Sequence, residues 1–199
     1  MGYLSKDERR EEIMQAAMRV ALAEGFPAMT VRRIATEANV ATGQVHHHFA
    51  SAGELKAQAF IRLTRTLLDA NPLPENATWR ERLCSMLGSD DGVFEPYIRL
   101  WREAQLIAAK DPDIKAAYIL TMHIWHDETT AIIRQGHAAQ EFTLRDSPEH
   151  IAWRLIALVC GLDGMYALGM TDINDDAFDQ HLEAAIALEL FSLPRTHNI

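Results

Sequence analysis

The chain has 199 residues, 48% of them hydrophobic, and a formal net charge of −9, enough apolar material for a packed core. No apolar run approaches the ~18 residues a membrane helix needs, and the charged opening MGYLSKDERREE is unlike a signal peptide, so a globular cytoplasmic protein is expected. Cys84 and Cys160 sit in apolar segments without a CxxC or Cys/His spacing, which predicts buried free thiols rather than a zinc site.

The charge is uneven. Residues 1–66 hold nine Lys/Arg against seven Asp/Glu, whereas the remainder holds ten against 21. A slightly basic module on an acidic body can meet phosphate locally while the body discourages loose binding to nucleic acid.

In chain order, Asp7–Glu24 reads as a helix with an inner face through Ile13, Ala17, Val20 and Ala21, ended by Gly25 with Pro27 beyond. Thr30 caps a second helix with Val31, Ile34, Ala35 and Ala38 at one-face spacing. Asn39, a residue type that tolerates left-handed backbone, and the apolar plug Val40 then give a tight turn. A third helix starts near Thr42 and ends at Phe49. This is the pattern of a helix-turn-helix, and its outer groups suit a major groove: Gln44 can bond an adenine edge, Thr42 offers a hydroxyl or methyl, and Gly43 permits close approach.

Ser51 caps a fourth helix through Leu55, Ala59, Ile61, Leu63, Leu67 and Leu68, and Asn71-Pro72-Leu73-Pro74 marks the domain boundary. Thr78 opens a helix with Trp79, Leu83, Met86 and Leu87, closed by Gly88 and the following Ser-Asp-Asp-Gly. Val93–Lys110 carries Phe94, Tyr97, Ile98, Trp101 and Leu106. A new helix begins at Pro112 and runs to about Gln140. Asp146 or Ser147 caps IAWRLIALVCGLDGMYALG, apolar around nearly its whole circumference, and Asn174 or Asp175 starts a last helix through Phe178, Leu182, Ile186 and Leu190. No strand alternation interrupts the series. The predicted fold is all-α, about nine helices: a DNA-binding domain over 1–50, a connecting helix over 51–72, and a larger helical ligand-binding and dimerisation domain over 73–199. The penultimate helix, with Ala157, Gly161, Gly164 and Gly169 as close-approach points, is expected to join two copies with the last helix as a four-helix bundle; the alternative is a single deeply buried core helix.

Thr30-Val31-Arg32-Arg33-Ile34-Ala35, then Val40, Gly43, Val45, His48-Phe49, then Ser51 and Glu54-Leu55, together resemble the TetR family of bacterial transcriptional repressors. The rest, including LWREAQLIAAKDP and GHAAQEFTLRDSPEHIAWRLIALVCGL, is similar to the regulatory domain of its BetI-like, choline-responsive branch. The resemblance implies that Arg32, Thr42, Gln44 and Val45 reach base edges or nearby backbone, with Gly43 among them in the DNA-binding set, and that His46 and His47 stand where many members carry an aromatic residue touching phosphate and sugar. It also shows departures. Ala52 occupies a position often held by Lys, and Ala41 one often held by Ser, which shifts the expected phosphate contact to the helix N-terminus, His47 and Lys56.

The resemblance further implies a repressor that binds a palindromic operator as a dimer and is released by a small molecule. Half-sites ~34–36 Å apart must be met together, so a small change of spacing suffices for release. Candidate ligand residues are Met86, Phe94, Tyr97, Trp101, Tyr118, Met122, Trp125, Trp153 and Tyr166, with Glu103, Asp127, Glu128 and Asp163 as candidate acids. Aromatic faces attract organic cations by ~0.5–2 kcal/mol per contact, and Met adapts to varied shapes. The expected inducer is therefore a bulky cationic or amphiphilic compound and the controlled gene one of efflux or detoxification, with a specific choline-like metabolite as the alternative. His123, His126 and Asp127, at i, i+3 and i+4, admit a metal site. Without an accompanying catalytic motif, neither an enzyme nor a cofactor or metal is expected.

Overall fold

The computed structural model describes residues 5–70, 73–88 and 94–191. Among them are nine α-helices, one 3-10 turn and no strand: α1 Lys6–Glu24, the turn Phe26–Ala28, α2 Val31–Glu37, α3 Thr42–His48, α4 Ala52–Asp69, α5 Trp79–Leu87, α6 Glu95–Ile107, α7 Pro112–Ala138, α8 Pro148–Ala167 and α9 Asp175–Leu190. The fold is all-α, as expected. None of the helices is long and apolar enough to cross a membrane.

Caps set most of the starts. The side chains of Thr30, Ser51, Thr78, Ser147 and Asn174 each accept a hydrogen bond from the amide three residues on, at 2.9–3.3 Å, each contributing about 1 kcal/mol. The sixth helix is shorter than its predicted 93–110 span. The Asp111 Oδ1 accepts from the amides of Asp113 and Ile114 at 3.0 and 3.1 Å, so the chain must turn over 108–110 to place that cap for α7. The seventh ends at Ala138, before its predicted end, because Gln140 takes a left-handed φ of 63°. The expected boundary at Asn71-Pro72 and the Ser89 to Val93 segment lie outside the described residues.

The helices pack as two units that do not follow one another along the chain. The first takes the described residues to Ala70 together with α6 and α7 as far as Met122. Its core holds Ile13, Met14, Val20, Phe26, Met29, Ile34, Val45, Phe49, Leu55, Phe60 and Leu63, and equally Leu100, Ala104, Ile114 and Ala117 from α6 and α7. Packing thus assigns α6 and the start of α7 to the N-terminal helices, where the linear division placed them in the second domain. The burial of Leu100 and Ile114 in the core of Phe26 and Phe60 is the reason.

The second unit comprises α5, α7 from His123, α8 and α9. Leu83, Leu87, Ile133, Phe142, Leu155, Ile156, Leu182, Ile186 and Leu190 are buried there. On α8, Ile151, Ala152, Leu155, Ile156, Val159 and Leu162 turn inward. The opposite side, with Trp153, Ala157, Gly161, Gly164 and Leu168, is open, and beside it α9 exposes Ala184, Ala187 and Leu188. The all-round apolarity of α8 therefore corresponds to one covered and one uncovered side in the single chain, not to a fully buried helix.

Gly136 in α7 lets Phe142 and Trp79 close over the helix; a Cβ there would meet the Phe142 ring and lie 2.9 Å from the Trp79 Cβ. A helix Gly to Ala change ordinarily gains up to ~1 kcal/mol. Here overpacking dominates, and Gly136→Ala is expected to destabilise by about 1–3 kcal/mol in chemical denaturation. A second prediction concerns acid. Arg154 bonds Asp146 at 2.8 Å and grips Glu189 through two nitrogens at 2.6 and 2.7 Å. Its guanidinium, with the Ser147 amide, lowers the Asp146 carboxyl from 3.8 to about 2. A depressed folded-state pKa stabilises above the unfolded value and ceases to do so as pH falls. Wild type should therefore lose stability between about pH 4 and 2, and Arg154→Gln should lose less over that window in melts followed by circular dichroism.

Candidate nucleic-acid interface

The second and third helices are joined by a turn held from both sides. Asn39 has φ 54°, and the amide of Val40 reaches back to the Ala35 carbonyl at 2.9 Å. Ala41 stands at the N-cap of α3 and supplies no side-chain bond. An ion cluster fixes α2 against α1: Arg33 bonds Glu24 at 2.6 Å and Glu37 at 3.0 Å, and Arg19 bonds Glu37 at 2.9 Å. Those bonds raise the pKa of Arg33, Glu24 contributing most, and lower that of Glu37, Arg19 first. Arg33 is committed to this cluster. Its neighbour Arg32 is exposed and has no ion-pair partner among the described residues.

On α3 the side chains of Thr42, Gln44, His46 and His47 are exposed, with Gly43 among them. Val45 is not. It is only 2% exposed and belongs to the core, so its expected contact with a base edge is corrected to an anchor: with Phe49 four residues on, it holds α3 in the core against α1 and α2. His48 is half-buried; its Nδ1 is buried without a hydrogen-bond partner. Burial first, then the charges of His47, Lys6, Arg10 and Arg9, push its pKa down. At the start of α4, the Ser51 Oγ accepts from the Glu54 amide at 2.9 Å and the Glu54 carboxylate from the Ala50 amide at 2.7 Å. Lys56 lies one turn on, half-buried.

The expected ligand residues divide between the two units. Phe94, Tyr97, Trp101, Tyr118 and Met122 belong to the first. There the Trp101 Nε1 donates to the Tyr118 hydroxyl at 2.8 Å, and both rings pack on Phe60, 5.8 and 6.3 Å between centroids. Phe94 meets Tyr97 edge-on at 6.2 Å. Tyr97, Trp101 and Tyr118 thus pack against the core of the N-terminal helices. Met86, Trp125, Asp127, Trp153, Asp163 and Tyr166 belong to the second unit. The Trp125 Nε1 donates to the Met86 carbonyl at 3.1 Å, and Met86 and Asp163 are half-buried, whereas Asp127, Trp153 and Tyr166 lie open in the single chain.

One candidate acid is withdrawn, and the admitted metal trio is not assembled. Glu103 is not available to a ligand: its carboxylate accepts from the Phe26 amide at 2.8 Å and packs on Gly25, whose φ is 79°. The His123, His126 and Asp127 trio does not form a metal-ligand set. The His126 Nε2 lies 3.0 Å from the Glu149 carbonyl and its ring stacks on Trp153 at 4.3 Å, while His123 meets the edge of the same indole. Among the described residues no group of three or more metal-ligating side chains comes together.

Residues 13–58, which contain the whole helix-turn-helix, match the family described as bacterial regulatory proteins, tetR family. The helix-turn-helix domain is thus of the TetR type, and the relatives that match along nearly the whole chain are transcriptional regulators and not enzymes. An HTH-type transcriptional regulator BetI of Brucella suis is 29% identical over 196 residues, covering 96% of both chains. A transcriptional regulator from Saccharomonospora viridis, crystallised with choline, superposes with a TM-score of 0.74 at 23% identity over 94% of this chain and all of that one. The multidrug binding protein EbrR, crystallised with proflavin, superposes with a TM-score of 0.63 at 23% identity over 90% of this chain and all of its own.

Residue reading alone missed two features of this TetR-family module. The burial of Val45 was recoverable from its i, i+4 relation to Phe49. The use of Glu103 and of Arg99, whose Nη2 donates to the Leu22 carbonyl at 2.6 Å, spans 77 residues and leaves no local signal. A Cβ on Gly43 would meet nothing within 4 Å, so the free protein does not require glycine there. Gly43→Ala should keep or raise the melting temperature, by up to ~1 kcal/mol of helix propensity, and weaken retention of operator DNA in gel shifts. Undiminished retention would show that α3 does not approach a duplex at this residue.

Proposed function

We propose that this TetR-family regulator is a ligand-released repressor that binds a palindromic operator as a dimer. Two copies join through the open sides of α8 and α9, and each presents α3 to one half-site. Residues 1–50 read DNA and 51–72 connect, while within 73–199 the second unit, α5 with α7 from His123, α8 and α9, receives the ligand and the second copy. The observation that carries this reading is the exposed group Arg32, Thr42, Gln44, His46 and His47 on a helix-turn-helix of the matched family. The small residues Ala157, Gly161 and Gly164 on an uncovered helix side support the dimer, because they let a second backbone approach closely.

The inducer is an organic cation, bulky or amphiphilic, and the regulated gene serves efflux or detoxification. Support comes from the aromatic and methionine content of the second unit, Trp125, Trp153 and Met86, and from the cationic ligands, choline and proflavin, of two fold neighbours. A second reading, a specific choline-like metabolite, is favoured by the similarity to BetI along 96% of the chain.

Gel shifts of the DNA upstream of the chain's own gene, with choline, betaine-type metabolites and a panel of cationic dyes and biocides, separate these readings. Release by several dyes supports the broad cation sensor, and release by choline alone supports the metabolite. If neutral or anionic compounds release the DNA and no cation does, the cationic class is wrong.

A further inference from the structure

The N-terminal turn of α1 carries a charge segregation that the helix-turn-helix does not account for. At helical spacing Lys6, Arg9, Arg10 and Ile13 share one face, whose inner end, Ile13, is fully buried. Asp7, Glu8, Glu11 and Glu12 lie off that face. Three of those acids are already engaged: Glu8 closes the capping box with Ser5, Glu11 pairs with Arg62 at 2.6 Å, and Glu12 pairs with Arg9 at 2.8 Å. Lys6 is exposed and has no ion-pair partner among the described residues.

This basic face stands against the end of the recognition helix. The Arg10 guanidinium lies over the Phe49 ring, 4.5 Å from its centroid, and donates to the Gln58 Oε1 at 2.7 Å. That arrangement holds the N-terminal part of α1 against Phe49, the residue that ends α3 directly after His47 and His48. Lys6, Arg9 and Arg10 are near enough to act on the His48 ring electrostatically, and the buried Nδ1 of that ring has no partner. Cations therefore collect around a side chain that supplies no counter-charge. The capping box already engages the amides of Ser5 and Glu8 at this helix start.

We propose that Lys6 and Arg9, with His47, form a seat for a DNA backbone phosphate beside the recognition helix, extending the interface beyond α2, α3 and the start of α4. The inference rests on the operator-binding reading given above. Arg10 is the positioning residue: its place over Phe49 and its bond to Gln58 hold the α1 turn in register with the end of α3. A phosphate contact of this kind carries no sequence information, so it adds affinity equally to every duplex and makes it more salt-sensitive.

The test is a salt titration of the full chain on two duplexes, the region upstream of its own gene and a scrambled duplex of the same composition. Lys6→Ala/Arg9→Ala is compared with wild type, with Lys6→Arg, and with Arg65→Ala, which removes an exposed cation from the far part of α4. The double variant is expected to bind both duplexes about ten-fold more weakly near 0.1 M salt, and to lower the slope of log K against log salt by ~0.9 per protomer. Lys6→Arg and Arg65→Ala should keep the wild-type slope. Circular dichroism confirms folding, and Lys6→Gln/Arg9→Gln gives the same reading should the alanine variant melt early. Wild-type retention with an unchanged slope in the folded double variant overturns the phosphate seat alone. Failure of wild type to retain either duplex at low salt overturns the operator-binding reading itself.

Discussion

The helices that face DNA cannot stand without the core beneath them. The second and third helices are seven residues each, far below the ~12–15 at which an isolated helix becomes even marginal in water. Each holds its shape because a few side chains are buried elsewhere: Ile34 and Ala35 from α2, Val45 and Phe49 from α3 and its C-cap. The surface on which they close is made by Ile13, Met14 and Ala17 of α1 and by Leu55, Ala59 and Phe60 of α4. That dependence explains why Val45 is inward although its neighbours Gln44 and His46 are outward. A short helix with one anchor per turn cannot give that anchor to a ligand.

The same core also binds α6 to the DNA-binding helices, and it does so at a weak point of the chain. At its C-terminal end α1 meets Gly25 in a left-handed conformation, leaving late carbonyls of the helix and the next amides to be satisfied. The sixth helix supplies both partners: Arg99 donates to the Leu22 carbonyl, and Glu103 accepts from the Phe26 amide. Trp101, between them in sequence, packs on Phe60. Two charge-assisted bonds to backbone and one half-buried indole make the position of α6 a condition for the end of α1, and through Phe60 for the seat of α4. These residues have the composition of a ligand pocket and serve as structure.

What could be read in the sequence was local. Thr30, Ser51, Thr78, Ser147 and Asn174 announced their helices because a cap acts within three residues of itself, and Asn39 announced the turn because few side chains accept positive φ. The aromatic residues were legible as types and not as places. Nothing near Trp101 or Tyr118 says that Phe60 is their partner, and nothing near Trp153 says that His126 will stack on it. The division of packing was hidden for the same reason: α6 follows α5 in the chain but shares its core with α1 and α4, a choice made by contacts across dozens of residues. The open side of α8 was legible in part, since an all-round apolar helix must be covered, although the periodicity does not say by what.

Charge is the last link between this fold and its task. A protein of net charge −9 meets DNA only if its cations are arranged rather than abundant, and several in the first unit are consumed internally. Arg19 and Arg33 neutralise Glu37 and Glu24, and Arg62 neutralises Glu11. Lys6, Arg32 and Lys56 have no acidic partner among the described residues and stand alongside the imidazoles of α3. A few such point charges give only modest non-specific binding, whose strength grows with each phosphate neutralised. In the proposed reading discrimination comes from the polar groups that α3 exposes, with the acidic remainder of the chain penalising any duplex met without that recognition.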